Sequence, residues 1–366
     1  MIESLRSSRF WRDFDWSLLA VALLLGGIGL LEIYSSTRNM QSETFFLRQL
    51  VWFGAGVVLL FIVASIDYHV LAENVPLLYL GATIILVYVL LFGRTVAGSK
   101  SWLGIGSFGV QPSEITKMVV VIALARYLSG LKRHYMSFTE ILAAFAICAP
   151  PVALIVLQPD LGTALTFVPI IAFGLFVRGV RPVVLVSGVL IVILMLPLAW
   201  LALKDYQKDR IITFLQPETD PLGSGYQVIQ SKIAIGAGGV WGRGLFEGSQ
   251  NQLGFLPTRH TDFIFSVVAE ELGFVGVCIT LGLLLTLVFR SLSTATTSRD
   301  TLGLFIVVGV VAIFVFHILV NVGMVIGFMP ITGIPLPFVS YGGSSVLMAF
   351  AGLGLIISVR RCRYVN

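Results

Sequence analysis

Long apolar segments recur from one end of the chain to the other, separated by mostly short polar connections. A helix needs roughly 20 residues to cross about 30 Å of hydrocarbon, so each segment of that length predicts a membrane-spanning helix. About ten spans are predicted in this way, near residues 16–36, 48–66, 75–93, 111–130, 141–157, 161–178, 182–203, 264–289, 303–327 and 343–360. The pattern therefore predicts an all-α polytopic membrane protein.

One connection, residues 204–262 between the seventh and eighth predicted spans, is much longer than the others. Loops of this length are usually either functional or disordered. Aromatic side chains are spread along it, at Phe214, Tyr226, Trp241 and Phe255, so we expect it to be ordered. The chain shows no internal repeat, and we expect residues 1–366 to form a single membrane domain with this one large extracytoplasmic loop.

Composition supports lipid as the main solvent of the chain. Hydrophobic residues make up 57% of it and charged residues only 12%, with a mean hydropathy of +0.95, whereas soluble domains are about one quarter charged. The net charge of +5 could indicate nucleic acid as a partner. The basic residues, however, punctuate apolar segments and form no single stripe, which excludes nucleic acid and indicates membrane orientation instead.

An even number of spans places both termini on one side of the membrane, and we call the opposite side the outer side. The terminal side holds the larger set of basic residues: Arg6, Arg9, Arg12, Lys132, Arg133, Arg178, Arg181, Arg290, Arg299, Arg360, Arg361 and Arg363. The short outer connections hold Arg38, Arg48, Arg94 and Lys100. Because basic residues are retained in the cytoplasm, both termini are predicted to be cytoplasmic.

Ionisable residues at the rim of an apolar segment are costly, and each is a candidate functional residue. Glu114 and Lys117 share one face at the start of the fourth span, either as a structural ion pair or as functional groups. Asp160 lies at the corner of spans five and six, where it can cap a helix. Asp262 precedes the eighth span, where a carboxylate also complements the helix dipole.

All four of these residues fall on the outer side, together with the Gly/Pro-rich connection 333–345. Irregular backbone at membrane depth is tolerated where protein buries it or where it lines a watery cavity. A single outer cavity shared by these elements explains the coincidence better than four unrelated structural roles do.

Five short motifs, at residues 111–114, 158–163, 225–231, 260–263 and 335–343, occur in this order along the chain. Together they resemble the SEDS family (shape, elongation, division and sporulation proteins), and the similarity covers essentially the whole chain. The resemblance implies a peptidoglycan glycosyltransferase that polymerises lipid II on the outer face of the bacterial cytoplasmic membrane. It also implies a class B penicillin-binding protein as partner within the elongation machinery. The essential outer aspartate of the family corresponds to Asp262, and its other conserved site residues correspond to Glu114, Lys117 and Asp160.

The chemistry of glycan extension fits these residue types. A carboxylate within reach of the attacking sugar hydroxyl acts as general base, and Asp262 is the candidate, with Arg259 and His260 beside it favouring its charged form. The leaving diphosphate requires positive charge, for which Lys117 and Arg48 are the first candidates, followed by Lys100, Arg210 and Arg243. A divalent cation, Mg²⁺ or Mn²⁺, near Glu114 and Asp160 is an alternative. The polyprenyl diphosphate is itself an activated donor, so no nucleotide is needed.

Two other functions remain open at this point. A lipid II flippase would share the spans and the intramembrane charges, but it should also carry ionisable groups through the midplane and the cytoplasmic half. Glu140, Glu270 and Glu271 are the candidates for such groups, and the outer bias of the remaining charges favours an enzyme. A non-catalytic scaffold for a penicillin-binding protein would tolerate the loss of Asp262.

Overall fold

A computed structural model of the chain describes residues 11–38, 44–96, 98–105, 108–133, 135–202, 205–216, 218, 220 and 223–363. In chain order the helices and strands are α1 (Trp16–Thr37), α2 (Thr44–Ser65), α3 (Tyr68–Glu73), α4 (Val75–Phe92), β1 (Arg94–Val96), β2 (Ser99–Ile105), β3 (Phe108–Val110), α5 (Pro112–Ser129), α6 (Phe138–Leu157), α7 (Leu161–Leu165), α8 (Phe167–Arg178), α9 (Pro182–Ala202), α10 (Asp205–Leu215), α11 (Ser224–Gly238), α12 (Ser249–Gln252), α13 (Ile264–Thr296), α14 (Thr301–Val325) and α15 (Gly343–Cys362). Arg6 and Arg9, which were used to predict orientation, lie outside the described residues.

The predicted polytopic helical fold is confirmed. Within the described chain, eight segments are long and apolar enough to cross a membrane, namely α1, α2, α4, α6, α7 with α8, α13, α14 and α15. The two other predicted spans coincide with α5 and α9. Helix α5 carries Glu114, Lys117 and Arg126, and in α9 several side chains lie outside the described part.

A small antiparallel sheet between α4 and α5, with strand order β1-β2-β3, was not predicted. It covers the corner between α6 and α7: the Lys100 amide and the Ser99 hydroxyl both donate to the carbonyl of Gln158, at 3.2 and 2.8 Å. Its strands are too short and too rich in Gly and Ser for a period-two pattern to identify them from sequence.

Helices α2 and α15 pack closely against each other. A Cβ at Gly354 would lie 2.9 Å from the carbonyl oxygen of Leu60, and one at Gly56 would overlap the ring of Phe350. Small residues allow helix backbones to approach in lipid, where packing and not the hydrophobic effect holds helices together. This contact fixes α2 beside the first turn of α15, which belongs to the site described below.

Helix α13 is broken at Gly273, whose φ of 66° and ψ of −163° leave backbone groups without intrahelical partners. Residues 239–244 replace those bonds: the amides of Phe274 and Val275 donate to the carbonyls of Gly239 and Val240, at 3.0 and 3.2 Å. The amides of residues 243 and 244 donate in return to the carbonyls of residues 270 and 271, at 2.9 and 3.0 Å. The break is therefore tolerated because protein satisfies it. Gly238 and Gly242 allow this close approach, because a Cβ at either position would overlap the carbonyl oxygen of Ala269 or Glu271.

The long connection 204–262 is ordered where it is described, and α10, α11 and α12 lie within it. Glu270 and Glu271 anchor it. Glu270 accepts from the amides of Gln250 and Asn251, at 2.8 and 3.0 Å. Glu271 accepts from the Ser35 hydroxyl at 2.6 Å and from the Asn251 amide nitrogen Nδ2 at 2.7 Å. Both carboxylates thus hold the loop onto α1 and α13.

Candidate functional site

The predicted site elements meet around residues 332–344, the irregular segment that joins α14 to the first turn of α15, which we call the hub segment. Its backbone is tied to α2, because Gln49 donates to the carbonyl of Ser340 at 3.2 Å and accepts from the amide of Gly342 at 3.1 Å. It is also tied to the turn before α13, since the Tyr341 amide donates to the carbonyl of His260 at 2.9 Å. The hub segment is therefore held from several helices at once.

Asp262 lies half-buried in the turn that precedes α13. The side-chain amide of Asn321, on α14, donates to the backbone carbonyls of both Asp262 and Ile334 at 2.9 Å. A Cβ at Gly333 would lie 3.9 Å from Asp262 Oδ2, and Gly333 has a φ of 73° that favours glycine. The Asp262 carboxylate therefore lies against the hub segment, and Asn321 fixes its backbone there.

Glu114 and Lys117 form a buried ion pair in the first turns of α5. Lys117 Nζ lies 2.7 Å from Glu114 Oε1, and the two residues are 0% and 5% exposed. Lys117 Nζ also lies 3.4 Å from His317 Nε2 on α14, and the other ring nitrogen of His317 lies 3.1 Å from the carbonyl oxygen of Pro335. A chain of polar contacts thus connects Glu114 to the hub segment.

Asp160 caps α7 by accepting from the amide of Thr163 at 3.1 Å, as its position predicted. It does more than cap, because Gln111 Nε2 donates to its Oδ2 at 2.6 Å. Gly162, two residues after Asp160, touches the hub segment, since a Cβ there would lie 2.5 Å from the carbonyl oxygen of Thr332. The α6–α7 corner, the start of α5 and the hub segment therefore form one surface.

Arg48 and His260 lie on the α2 side of the hub segment. Arg48 is hydrogen-bonded to the side chain of Tyr341, and it opposes the rise that burial causes in the Tyr341 pKa. The His260 ring packs against Phe45 and Tyr341, with ring centroids 5.0 and 5.5 Å away. Burial, and then the charge of Arg259, lowers the pKa of His260, so its imidazole is neutral at neutral pH. It is not the cation that the sequence suggested beside Asp262.

The other basic candidates are engaged away from the hub segment. Arg259 is buried and donates from Nε to the carbonyl of Ser36 at 2.8 Å, which clamps the loop to α1. Lys100 Nζ donates to the carbonyl of Leu91 at 2.7 Å, and Arg243 Nε donates to the carbonyl of Ala237 at 3.1 Å. The side chain of Arg210 lies outside the described part of the chain.

Sequence reasoning missed His317 and Asn321, the two polar residues through which α14 contacts the site. They are four residues apart inside a long apolar run, so they share one helix face. Asn321 is 0% exposed and His317 is 1% exposed. Because a polar pair at this spacing in a buried span is costly unless it is bonded, the spacing itself was the available signal.

The side chains around Glu114 and Asp160 show which atoms could hold the divalent cation that the sequence suggested there. Within the described ranges, no group of three or more His, Cys, Asp or Glu residues is arranged to hold a metal. Both carboxylate oxygens of Asp160 accept hydrogen bonds, whereas Glu114 Oε2 is buried with no hydrogen-bond partner among the described residues. Since Mg²⁺ usually binds one or two carboxylates together with substrate phosphates, Glu114 Oε2 would be the oxygen that holds such a cation.

Comparisons with known proteins agree with this arrangement. The model of the FtsW/RodA/SpoVE family, described as cell cycle protein, matches residues 15–364. The chain is 38% identical to peptidoglycan glycosyltransferase RodA of Treponema pallidum (strain Nichols), over 95% of this chain and 97% of that protein. It is also 38% identical to peptidoglycan glycosyltransferase MrdB of Escherichia coli (strain K12), over 99% and 98%.

Two solved structures are similar along their whole length. One belongs to a peptidoglycan synthase complex that coordinates polymerization and crosslinking; it is 36% identical, with a TM-score of 0.84 over 96% of this chain and 99% of that chain. The other is the rod shape determining protein RodA of Thermus thermophilus, 29% identical, with a TM-score of 0.72 over 96% and 98%. With these matches, the chain belongs to the FtsW, RodA and SpoVE family of cell cycle proteins, the SEDS family that its motifs resemble.

Proposed function

We propose that this protein is a peptidoglycan glycosyltransferase that polymerises lipid II into glycan strands on the outer face of the bacterial cytoplasmic membrane, with both termini in the cytoplasm. One observation carries the proposal: the hub segment joins Asp262, the Glu114–Lys117 pair and the Asp160 corner into a single polar site. The relatives named peptidoglycan glycosyltransferase match the chain over nearly all of its length.

Asp262 is the proposed general base. Its carboxylate lies half-buried against Gly333, where an acceptor sugar hydroxyl can reach it. The hydroxyl oxygen attacks the anomeric carbon of the donor, its proton passes to Asp262, and the bond from that carbon to the diphosphate oxygen breaks. Direct attack inverts the anomeric centre and requires no covalent glycosyl-enzyme. Asn321 is a positioning residue, because it fixes the Asp262 backbone.

Arg48 is the candidate for stabilising the leaving diphosphate. It is half-buried beside Tyr341 of the hub segment, and a guanidinium suits the geometry of phosphate oxygens. Lys117 is 0% exposed and is already bound to Glu114 and His317. In this conformation Lys117 acts through His317 and the Pro335 carbonyl, and it holds the hub segment in place without touching the diphosphate.

The proposed partner is a class B penicillin-binding protein that cross-links the strands. The peptidoglycan synthase complex that coordinates polymerization and crosslinking includes a chain similar to this one over its whole length. Similarity to RodA and MrdB favours a role in elongation and cell shape.

The environments of the three carboxylates that a flippase would use disfavour that function. Glu140 closes a capping box with Ser137 at the start of α6, and Glu270 and Glu271 accept from amides and side chains of the long connection. All three therefore have structural roles that need no transported substrate. A non-catalytic scaffold would tolerate the loss of Asp262, whereas a glycosyltransferase would not. The polymerisation assay with the penicillin-binding partner distinguishes these two functions.

The experiment is polymerisation of fluorescent lipid II by the purified protein, alone and with its penicillin-binding partner, in detergent and in liposomes. We expect long glycan strands from the pair, and none from the partner alone. Transfer of lipid II between leaflets without polymer would identify a flippase. An inactive protein that still raises the cross-linking activity of the partner would identify a scaffold.

A further inference from the structure

A cavity of about 400 Å³ opens on the side of the membrane that carries the chain ends, at the opposite ends of α5 and α14 from the hub segment. Its walls are the last turn of α5, the last turn of α8 and the first turns of α14. We propose that this cavity binds the headgroup of an anionic glycerophospholipid. The inference rests on the geometry of this cavity and does not depend on the proposed glycosyltransferase activity.

Three basic side chains line the cavity, those of Lys132, Arg133 and Arg178. Arg178 is fixed in place, because its Nη2 donates to the carbonyl of Leu131 at 2.7 Å and also to the carbonyl of Arg133. Lys132 and Arg133 are exposed at the rim. A fixed guanidinium with two exposed cations beside it suits a phosphate group, and basic pockets between spanning helices are typical sites for anionic lipid headgroups.

The carboxylates closest along the chain to this cavity are already engaged. Asp300 caps α14 by accepting from the amide of Gly303 at 2.8 Å, and it is also contacted by the Tyr68 hydroxyl at 2.9 Å and by His69 Nε2 at 2.7 Å. Glu140 accepts from the amide of Ser137 at 2.6 Å, and it also interacts with the charges of Arg133 and Arg178. One carboxylate therefore faces three cations, and a net positive charge remains at the rim of the cavity to attract an anion.

Apolar side chains form about half of the cavity surface, which favours a lipid over a soluble anion. Leu131 and Leu304 line it and are partly exposed, and Val177, in the same wall, is 41% exposed. The cavity thus changes from an apolar wall to exposed basic side chains at its rim. A glycerophospholipid has the same order of groups, with glycerol and the first acyl carbons below the phosphate. A free phosphate would leave the apolar wall uncovered.

A bound lipid would bridge α5, α8 and α14. Helices α5 and α14 carry, at their other ends, the Lys117–His317 contact that supports the hub segment. We therefore expect an anionic lipid to raise the thermal stability of the protein, because a ligand that binds the native state stabilises it.

The test is native mass spectrometry of the full-length detergent-purified protein, titrated with phosphatidylglycerol, cardiolipin or phosphatidylcholine. The variant is Lys132→Gln with Arg133→Gln, both exposed residues outside the proposed catalytic site. The matched control is Arg181→Gln with Arg363→Gln, which removes the same charge from exposed positions on the same side that do not line the cavity. A further arm adds inorganic phosphate alone, and thermal unfolding of every sample shows whether each variant is folded.

We expect phosphatidylglycerol and cardiolipin to bind the wild type and the control equally and to raise their unfolding temperatures. The cavity variant should bind them about 25-fold more weakly, taking about fivefold for each of the two basic residues near the surface. Equal retention of anionic lipid by wild type and cavity variant, or equal binding of phosphatidylcholine, would overturn the proposal. Binding of inorganic phosphate with the same variant dependence, but without lipid binding, would also overturn the lipid assignment.

Discussion

Variants of the buried Glu114–Lys117 pair can distinguish a role in stability from a role in activity. At 2.7 Å the gross attraction is about 6 kcal/mol for an effective dielectric constant of about 20, and much of it offsets the desolvation of two charges. Removing one partner leaves the other buried and unpaired, which costs about 3–5 kcal/mol. We therefore expect Glu114→Gln and Lys117→Met each to lower the free energy of unfolding by about that amount.

The double variant, Glu114→Gln with Lys117→Met, should recover most of this stability, because it leaves no unpaired buried charge. The polymerising activity of the double variant should remain at least about tenfold below that of the wild type, because a small displacement of the hub segment misplaces reacting groups. Tryptophan-monitored unfolding and lipid II polymerisation give the two readouts. Arg181→Met, at an exposed position that does not line the lipid cavity, is the control and should change stability by less than about 0.5 kcal/mol.

Two results would refute this reasoning. If the destabilisations of the two single variants simply added in the double variant, the pair would not be energetically coupled. If the double variant recovered both stability and activity, the pair would be a structural ion pair with no part in positioning the site.

Three further predictions concern Asn321, Gly162 and the pair of histidines His260 and His69. Asn321→Ala should lower activity and destabilise the protein, since each buried carbonyl left unpaired costs about 1–3 kcal/mol; unchanged activity and unfolding would contradict the positioning role. Gly162→Ala should cost about 1–3 kcal/mol by overpacking and reduce polymerisation, because its Cβ would lie 2.5 Å from a hub carbonyl oxygen, whereas Gly81→Ala, with nothing within 4 Å, should be neutral in both assays. Because the pKa of His260 is lowered in the folded state, the unfolded state binds more protons there. The contribution of His260 to the free energy of unfolding is therefore full above pH 6.5, the ordinary pKa, and is lost as the pH falls through the lowered pKa. His69 has a raised pKa, because its bonds to Asp67 and Asp300 together outweigh burial, so its contribution to stability is full below 6.5 and is lost as the pH rises through the raised pKa. The unfolding temperature lost in His260→Asn relative to the wild type should therefore shrink toward low pH, and that lost in His69→Asn should shrink toward high pH.

The spans could be predicted closely because each is an uninterrupted apolar run with a length set by the bilayer. The predicted span 343–360 coincides with Gly343–Cys362, and 161–178 with α7 and α8. The sheet over residues 94–110 and the break at Gly273 could not be predicted, because both are stabilised by distant backbone groups. The carbonyl of Gln158 holds the sheet, and residues 239–244 hold the break.

The location of the site followed from the parity of the spans, which placed Asp262, Lys117 and Asp160 on one side before any contact was known. The structure brings all three to the hub segment. The contacts that link them run through His317 and Asn321, and those depend on how α14 is rotated against α5 and α13. The sequence periodicity of α14 cannot predict that rotation, because apart from His317 and Asn321 almost all residues of the helix are apolar. The burial of Lys117 was hidden for the same reason.

The central claim is that Asp262 takes the proton of the attacking hydroxyl, and a single-turnover assay tests it directly. Asp262→Asn keeps the size of the side chain and removes its basicity, so lipid II binding and the unfolding temperature should match the wild type. We predict that its rate of glycan bond formation falls by about 100- to 10,000-fold, the usual contribution of a general base. Bond formation at the wild-type rate by the folded, lipid II-bound variant would contradict the account.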